Sequence, residues 1–147
     1  MTPVLSGTAT ATDIPTDTPV ALNLQDPDSM IFNPFGDLVL DSQADAELII
    51  VQRPGFVDQN VYHLPITQGG SPVQIDDTVF ATSSHGVILV SDRDGETVYA
   101  ISRNIFAPAA AYSATPTSVA ALDFATGVLT DVVTGMVSPH GMAFIRK

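Results

Sequence analysis

The stretch that decides the fold is DDTVFATSSHGVILVSDRDGETVYAISRN, residues 76–104. It contains three short apolar runs: Val79–Thr82, Val87–Val90 and Thr97–Ile101. The runs are separated by segments rich in Ser, Gly and Asp, which favour tight turns. Short apolar segments separated by such turns predict an antiparallel meander of three strands.

The same pattern occurs about 50 residues upstream, so the chain contains a repeat. At this shift DLVLD overlies VILVS, and ELIIV overlies TVYAI. Single residues coincide as well: Asp26 with Asp76, Gly36 with Gly86, Arg53 with Arg103, and Phe56 with Phe106. A third copy begins near the C-terminus, and it matches the first copy at three positions: Pro139 on Pro27, Met142 on Met30 and Phe144 on Phe32.

Repeats of this length, made only of short strands and tight turns, are typical of β-propellers. We therefore predict an all-β fold of propeller blades, each an antiparallel four-stranded meander; a Greek-key sandwich is the alternative. The predicted division is an N-terminal segment that is either a linker or strands completing a split blade (1–29), a blade (30–77), a blade with a loop insertion at 107–117 (78–137), and the first strand of a further blade (138–147). About three blades are too few for a ring of four to eight. We expect self-association, or the remaining blades of a longer chain, to complete it.

The composition excludes several classes of function. The chain has 147 residues, a net charge of -11 and only five Lys and Arg residues. So few cations argue against binding to nucleic acid, and an anionic membrane would repel the chain. The absence of Cys excludes disulfides and thiolate chemistry. The N-terminus lacks the features of a signal peptide, while the Thr- and Ser-rich, Lys-poor composition favours a periplasmic or secreted protein.

Three segments resemble blades of a known superfamily. They are GDLVLDSQADAELIIV (36–51), GVILVSDRDGETVYAIS (86–102) and SPHGMAF (138–144). They are similar to blades of the gluconolactonase/regucalcin-like and NHL-repeat propellers of bacteria, and the resemblance covers roughly residues 25–147. It implies a central channel. In the enzymatic members it also implies a divalent cation, usually calcium, held by Glu, Asn and Asp at the channel mouth.

Five polar residues are candidates for a site at that mouth. Asp28, Asp77 and His140 precede the innermost strands, and Asp41 and Asp92 close the second strands. Together they could bind a small ligand, supply a general acid and base, or hold a hard cation such as calcium, with Asp41 and Asp92 as the metal ligands. The alternative is structural, because Asp at the end of a strand often accepts hydrogen bonds from backbone N–H groups of a turn.

Other catalytic and metal sites find less support. His85 is expected on the opposite face from His140, and His63 is expected at the surface of a strand. Zinc needs three or four convergent ligands, which this set of residues does not supply. A G-x-S-x-G motif is also absent.

Three functions remain open. The first is a binding or scaffold module with an acidic mouth for a small molecule or a protein. The second is a calcium-dependent hydrolase of the lactonase type. The third is a propeller fragment that closes by oligomerisation and has no activity of its own.

Overall fold

The computed structural model describes all residues from 1 to 147, and the fold is all-β, with fifteen strands and no helix. The strands are β1 (Thr10–Asp13), β2 (Thr18–Ala21), β3 (Pro27–Phe32), β4 (Leu38–Ser42), β5 (Glu47–Gln52), β6 (Asn60–Pro65), β7 (Thr67–Gln68), β8 (Ser71–Pro72), β9 (Thr78–Phe80), β10 (Gly86–Asp92), β11 (Thr97–Ser102), β12 (Ala111–Ala114), β13 (Ser118–Leu122), β14 (Val128–Thr134) and β15 (Pro139–Arg146). They form two six-stranded sheets and one three-stranded sheet, none of them closed into a ring or barrel. Nothing in the chain forms a helix of the length and hydrophobicity needed to cross a bilayer.

The first sheet has the strand order β2-β1-β6-β5-β4-β3. Strands β3 to β6 form an antiparallel meander, and β1 joins its outer edge parallel to β6. In β5 the run Leu48–Val51 is buried on both faces of the sheet. This burial explains why the strand is continuously apolar and does not alternate between apolar and polar residues.

The second six-stranded sheet repeats this topology, with the order β8-β7-β14-β13-β12-β9. Four of its strands again form an antiparallel meander, and β7 joins parallel to β14, as β1 joins β6. The hairpin β10–β11 is inserted between β9 and β12. In the first sheet the corresponding connection, between β3 and β4, is only the turn 33–37.

The inserted hairpin forms the three-stranded antiparallel sheet with the C-terminal strand, in the order β11-β10-β15. Strand β15 pairs with β10 as β3 pairs with β4. Both pairs are antiparallel, and both have a register irregularity at the equivalent position. Pro139, Met142 and Phe144 lie opposite Asp92, Val90 and Ile88; Pro27, Met30 and Phe32 lie opposite Ser42, Leu40 and Leu38. The predicted match between the first and third copies is therefore confirmed at the level of strand pairing.

Two expectations about the chain path are wrong. The predicted three-stranded meander is broken, since β9 pairs with β12 and only β10 and β11 form a hairpin. The predicted loop at 107–117 contains β12, whose four residues are all buried. Alanine has a low β propensity, so the sequence did not predict a strand here. Its small side chain suits a position between two strands in a packed interior.

The N-terminal segment forms two strands, which was one of the two alternatives for it, but their place differs from the expected one. Strands β1 and β2 join the first sheet and do not complete the sheet that contains β15. The residue that favours this arrangement is Ala11, which is buried with Leu22 against Leu40, Ile49 and Val51. Burying these apolar side chains stabilises the hairpin on the outer edge of the first sheet.

The second six-stranded sheet is the middle layer of the molecule. One apolar core, which includes Val39, Ile50, Phe80 and Leu122, joins it to the first sheet. Another core joins it to the three-stranded sheet, and there the fully buried ring of Phe106 contacts the rings of Tyr112 and Phe144 edge to face. The three sheets therefore lie side by side, each packed on its neighbour.

Candidate functional site

Each sheet contributes one edge strand to a common region, and we call β3, β9 and β15 the inner strands. Strand β9 contacts both β3 and β15. Each inner strand carries a phenylalanine opposite the neighbouring strand of its own sheet: Phe32, Phe80 and Phe144. Four residues before these phenylalanines stand Asp28, Asp76 and His140. The repeated register thus places one ionisable side chain at the same position of each inner strand.

Two of these three side chains are in contact. Nδ1 of His140 lies 2.8 Å from Oδ1 of Asp76. Nδ1 has no hydrogen-bond partner of good geometry, so the contact with the carboxylate is mainly electrostatic. Gln43 donates a hydrogen bond from Nε2 to the same Oδ1, over 3.1 Å. Burial raises the pKa of Asp76 above its usual value, and the nearby charge of Asp28 raises it further, while the charge of His140 acts in the opposite direction.

Asp76 and His140 lie in the wall of a cavity of about 270 Å³, which we call the polar pocket. None of its lining residues is a large apolar one; they are Gln43, Gln74, Asp76, Arg93, Thr115, Pro116, Ser138, Pro139 and His140. Arg93 comes from the turn between β10 and β11, and its guanidinium donates to Asp94 and to the hydroxyl of Ser138. The pocket therefore combines the guanidinium of Arg93, one Asp–His pair and several neutral hydrogen-bonding groups.

Beside the pocket, two carboxylates share one hydroxyl. Oγ of Ser29 lies 3.0 Å from Oδ2 of Asp41 and 3.3 Å from Oδ1 of Asp77. Asp41 is only 1% exposed, and burial, with repulsion from Asp77, raises its pKa to about 7. Burial also raises the pKa of Asp77. Oδ2 of Asp77 accepts a hydrogen bond from the backbone N–H of Met142, which links β9 to β15.

Asp92 has a structural role and lies outside the polar pocket. Its carboxylate accepts hydrogen bonds from the backbone N–H groups of Val137, Ser138 and Gly95. These bonds, of which that from Val137 contributes most, hold the pKa of Asp92 below its usual value. The contacts match the turn-capping alternative, and they fasten the start of β15 to the end of β10.

The five residues predicted for the mouth are therefore distributed over three settings. His140 lines the polar pocket, and the buried Asp41 and half-buried Asp77 form a pair beside it. The charge of Asp28 acts on Asp41 and on Asp76. Asp92 shares no bonding partner with Asp41. Across the chain no three or more His, Cys, Asp or Glu side chains form a group that could hold a metal ion.

Sequence reasoning missed Asp76 and Arg93. It chose Asp77, the second residue of the Asp76-Asp77 pair, as the counterpart of Asp28 and His140. The strand pairing shows that Asp77 is equivalent to Ser29, and a count of four residues back from each inner phenylalanine would have selected Asp76.

His63 is a further residue that the sequence placed wrongly. Its side chain was expected at the surface, but it is only 15% exposed and lies between two carboxylates. Nδ1 is 2.8 Å from Oδ1 of Asp13, and Nε2 is 2.8 Å from Oε2 of Glu47. The bonds to Glu47 and Asp13 raise the pKa of His63. Glu47 reaches His63 through the antiparallel pairing of β5 with β6. Asp13 reaches it because β1 pairs in parallel with β6, which no local pattern indicates.

Comparison of the chain with protein-family models, with curated proteins and with solved structures gave no match.

Proposed function

We propose that this chain is a propeller-type binding module whose polar pocket takes a small, uncharged polyol or sugar. The observation that carries the proposal is the polar lining of that pocket. It consists of side-chain amides, hydroxyls, Asp76, Arg93 and other residues that are not large and apolar. A sugar presents several hydroxyl groups around a small ring, and each of them can both donate and accept a hydrogen bond. Such a ligand can form hydrogen bonds with both the donors and the acceptors that line this cavity of about 270 Å³.

Selectivity would come from the pairing of unlike groups. Arg93 can only donate, the carboxylate of Asp76 can only accept, and Gln43 can do both. A ligand hydroxyl placed between Asp76 and Arg93 would accept a hydrogen bond from Arg93 and donate one to Asp76. A ligand without that hydroxyl would leave these groups unpaired and would bind more weakly.

Titration with a panel of monosaccharides and polyols, followed by ¹H–¹⁵N NMR, tests this function. We expect saturable shift changes confined to amides around 43, 74–77, 93, 115–116 and 138–140. The variants Asp76→Asn and Arg93→Gln should each weaken binding at least roughly tenfold, as expected when a charged hydrogen-bond partner is lost. Glu96→Gln is the matched control, since it removes a charge from an exposed residue outside the pocket. Absence of saturable changes throughout the panel would contradict the proposal.

The propeller assignment and its resemblance to the gluconolactonase/regucalcin-like and NHL-repeat proteins form part of the same proposal. Two features support it: the three sheets pack side by side, and their inner strands carry equivalent residues. The outer edge of β11 also favours further assembly. The two larger meanders each have a fourth strand in this place, β6 or β14, whereas β11 has no neighbour there.

We propose that a second copy of the chain supplies the missing blades. Light scattering on a sizing column should then give a discrete oligomer. A stable monomer at high concentration would contradict assembly from copies of this chain alone.

A further inference from the structure

A second cavity, of about 490 Å³, lies between the two six-stranded sheets and shares no residue with the polar pocket. Its wall is mainly apolar and includes four aromatic side chains: Phe35, Tyr62, Phe80 and Phe124. We call it the aromatic cavity. It is larger than the polar pocket and differs from it in chemical character, so the two cavities call for different ligands.

The aromatic side chains are not arranged as a flat stack. The rings of Phe80 and Phe124 have their centroids 5.5 Å apart and are tilted by 48°, so they form a corner. Phe35 stands in the turn between β3 and β4 and is 79% exposed. An exposed phenylalanine contributes little to the core of the free protein, and at the rim of an aromatic cavity its ring is free to contact a ligand.

The turn that carries Phe35 also brings the cavity its single charged side chain, Asp37. Asn33 organises this turn. Its Oδ1 accepts hydrogen bonds from the backbone N–H groups of Phe35 and Asp37, and its Nδ2 donates to Oδ2 of Asp37 over 2.9 Å. One residue thus fixes the backbone of the turn that carries both Phe35 and Asp37, two positions apart. Lys, Arg and His are absent from the lining.

We infer that the aromatic cavity binds a small organic cation, with an apolar body and a tertiary or quaternary ammonium group. Aromatic faces attract such a cation through their negative electrostatic potential, and a carboxylate adds direct charge complementarity. The net charge of -11 favours the approach of cations and disfavours anions. Ile50 and Leu122, which also line the cavity, would contact the apolar body of the ligand and remove it from water.

Three probes of similar size and different charge test this assignment in the intact chain: benzyltrimethylammonium, benzyl alcohol and phenylacetate. Binding is followed by ¹H–¹⁵N NMR at low ionic strength. We expect the cation to bind at least roughly tenfold more tightly than benzyl alcohol, and phenylacetate to bind most weakly. Shift changes should be confined to amides of 33, 35–37, 50–52, 109–111 and 122–124. Equal affinity for the three probes, or no saturable binding of the cation, would overturn the inference.

Two variants locate the charge and the ring. Asp37→Asn should weaken binding of the cation at least roughly fivefold and leave benzyl alcohol unchanged, because only the charge contact is lost. Phe35→Leu should weaken the cation to a similar degree without lowering the melting temperature, since the side chain is exposed. Glu96→Gln, which removes one charge elsewhere, is the control. If both variants bind the cation as the unmodified chain does, the site is not the aromatic cavity. Since Phe35→Leu and the comparison of probes do not depend on the Asn33–Asp37 bond, the test survives any disturbance of the turn by Asp37→Asn.

Discussion

The carboxylates of Asp41 and Asp77 share one hydrogen-bond donor, the hydroxyl of Ser29. A hydroxyl has one hydrogen, so it can satisfy only one of the two carboxylates at a time. Burial disfavours a charge on Asp41, and repulsion from Asp77 adds to this effect, so the pKa of Asp41 is raised to about 7.

This relationship makes stability depend on pH. The pKa of Asp41 is raised on folding from 3.8 to about 7, so its contribution is fully present below pH 4 and is lost as the pH rises towards 7. Asp41→Asn removes this titration. At pH 8 we expect the variant to be more stable than the unmodified chain, by an amount on the order of a few kcal/mol; at pH 4 the two should be similar. Urea unfolding at both pH values measures the difference.

Asp45→Asn is the matched control, four residues further along the chain. Its carboxylate accepts hydrogen bonds from the backbone N–H of Gln25 and the hydroxyl of Ser42, which lower its pKa. The stability that it contributes is present above its unfolded pKa and is lost as the pH falls, so this variant should be the less stable one at pH 8. If the two variants changed stability in the same direction at pH 8, the assignment of a protonated Asp41 would be wrong.

His63 should act in a different range of pH. Its pKa is raised by the bonds to Glu47 and Asp13, so its contribution is full below its unfolded pKa near 6.5 and is lost as the pH rises through the higher folded value. His63→Gln should cost about 2 kcal/mol at pH 6, because two buried charge-assisted contacts are lost, and less at pH 9. Unfolding curves at both pH values check this. A cost that is the same at pH 6 and pH 9 would show that the histidine is not charged in the folded chain.

Asp92 is predicted to fasten β15 to β10. Asp92→Ala removes the acceptor of three backbone N–H groups, those of Val137, Ser138 and Gly95. The amides of Val137 and Ser138 should then exchange faster with deuterium, and protection along β15 should fall with them. Amides of β5, in the first sheet, should keep their protection and serve as the internal reference. Unchanged exchange at 137 and 138 would contradict the role of Asp92.

Gly127 is required by a close approach between two chain segments. It has a φ of +72°, and a Cβ atom there would collide with the carbonyl oxygen of Pro65. Gly127→Ala should therefore destabilise the fold by about 3 kcal/mol or more, because backbone must move in addition to the strain in φ. Gly135→Ala isolates the strain: its φ is +88°, but its Cβ would meet no atom within 4 Å. Equal losses for the two variants would show that the contact with Pro65 adds nothing.

Calcium separates the binding module from the calcium-dependent hydrolase. The chain offers no group of three or more acidic or histidine side chains arranged for a metal. We therefore expect millimolar calcium to leave the melting temperature unchanged beyond the effect of ionic strength, since only a ligand of the native state stabilises it. Magnesium at equal ionic strength is the control. A rise that is specific to calcium and is abolished in Asp41→Asn would favour the hydrolase.

The sequence was sufficient for the parts of the fold that depend on local pattern. The β10–β11 hairpin follows from two apolar runs around Asp92–Gly95, and the match of Pro139 with Pro27 gave the register of the last inner strand. The pairing of β9 with β12 could not be predicted in the same way. It joins Phe80 to Ala111 across an inserted hairpin, and an alanine-rich segment carries no strong strand signal.

The candidate site shows the same division. His140 could be predicted because it lies at the start of an inner strand, and Asp41 because it lies near the end of a second strand. The pairing of His63 with Asp13 depends on a parallel contact between strands 50 residues apart, which no spacing rule supplies. Where two carboxylates are adjacent, at Asp76 and Asp77, the choice of the pocket residue requires the alignment of the inner strands on their phenylalanines.

The insertion of β10–β11 also has a consequence for the order of folding. The hairpin can form as soon as its own residues are synthesised. The second edge of β10 is covered only by β15, in which the partner of Val90 is Met142, about fifty residues later in the chain. Closing so long a loop is slow compared with forming a hairpin. During synthesis on the ribosome, the first sheet can therefore be complete while the apolar face around Ile88 and Val90 is still open. This interval is when the nascent chain would be most prone to aggregate and most dependent on a chaperone.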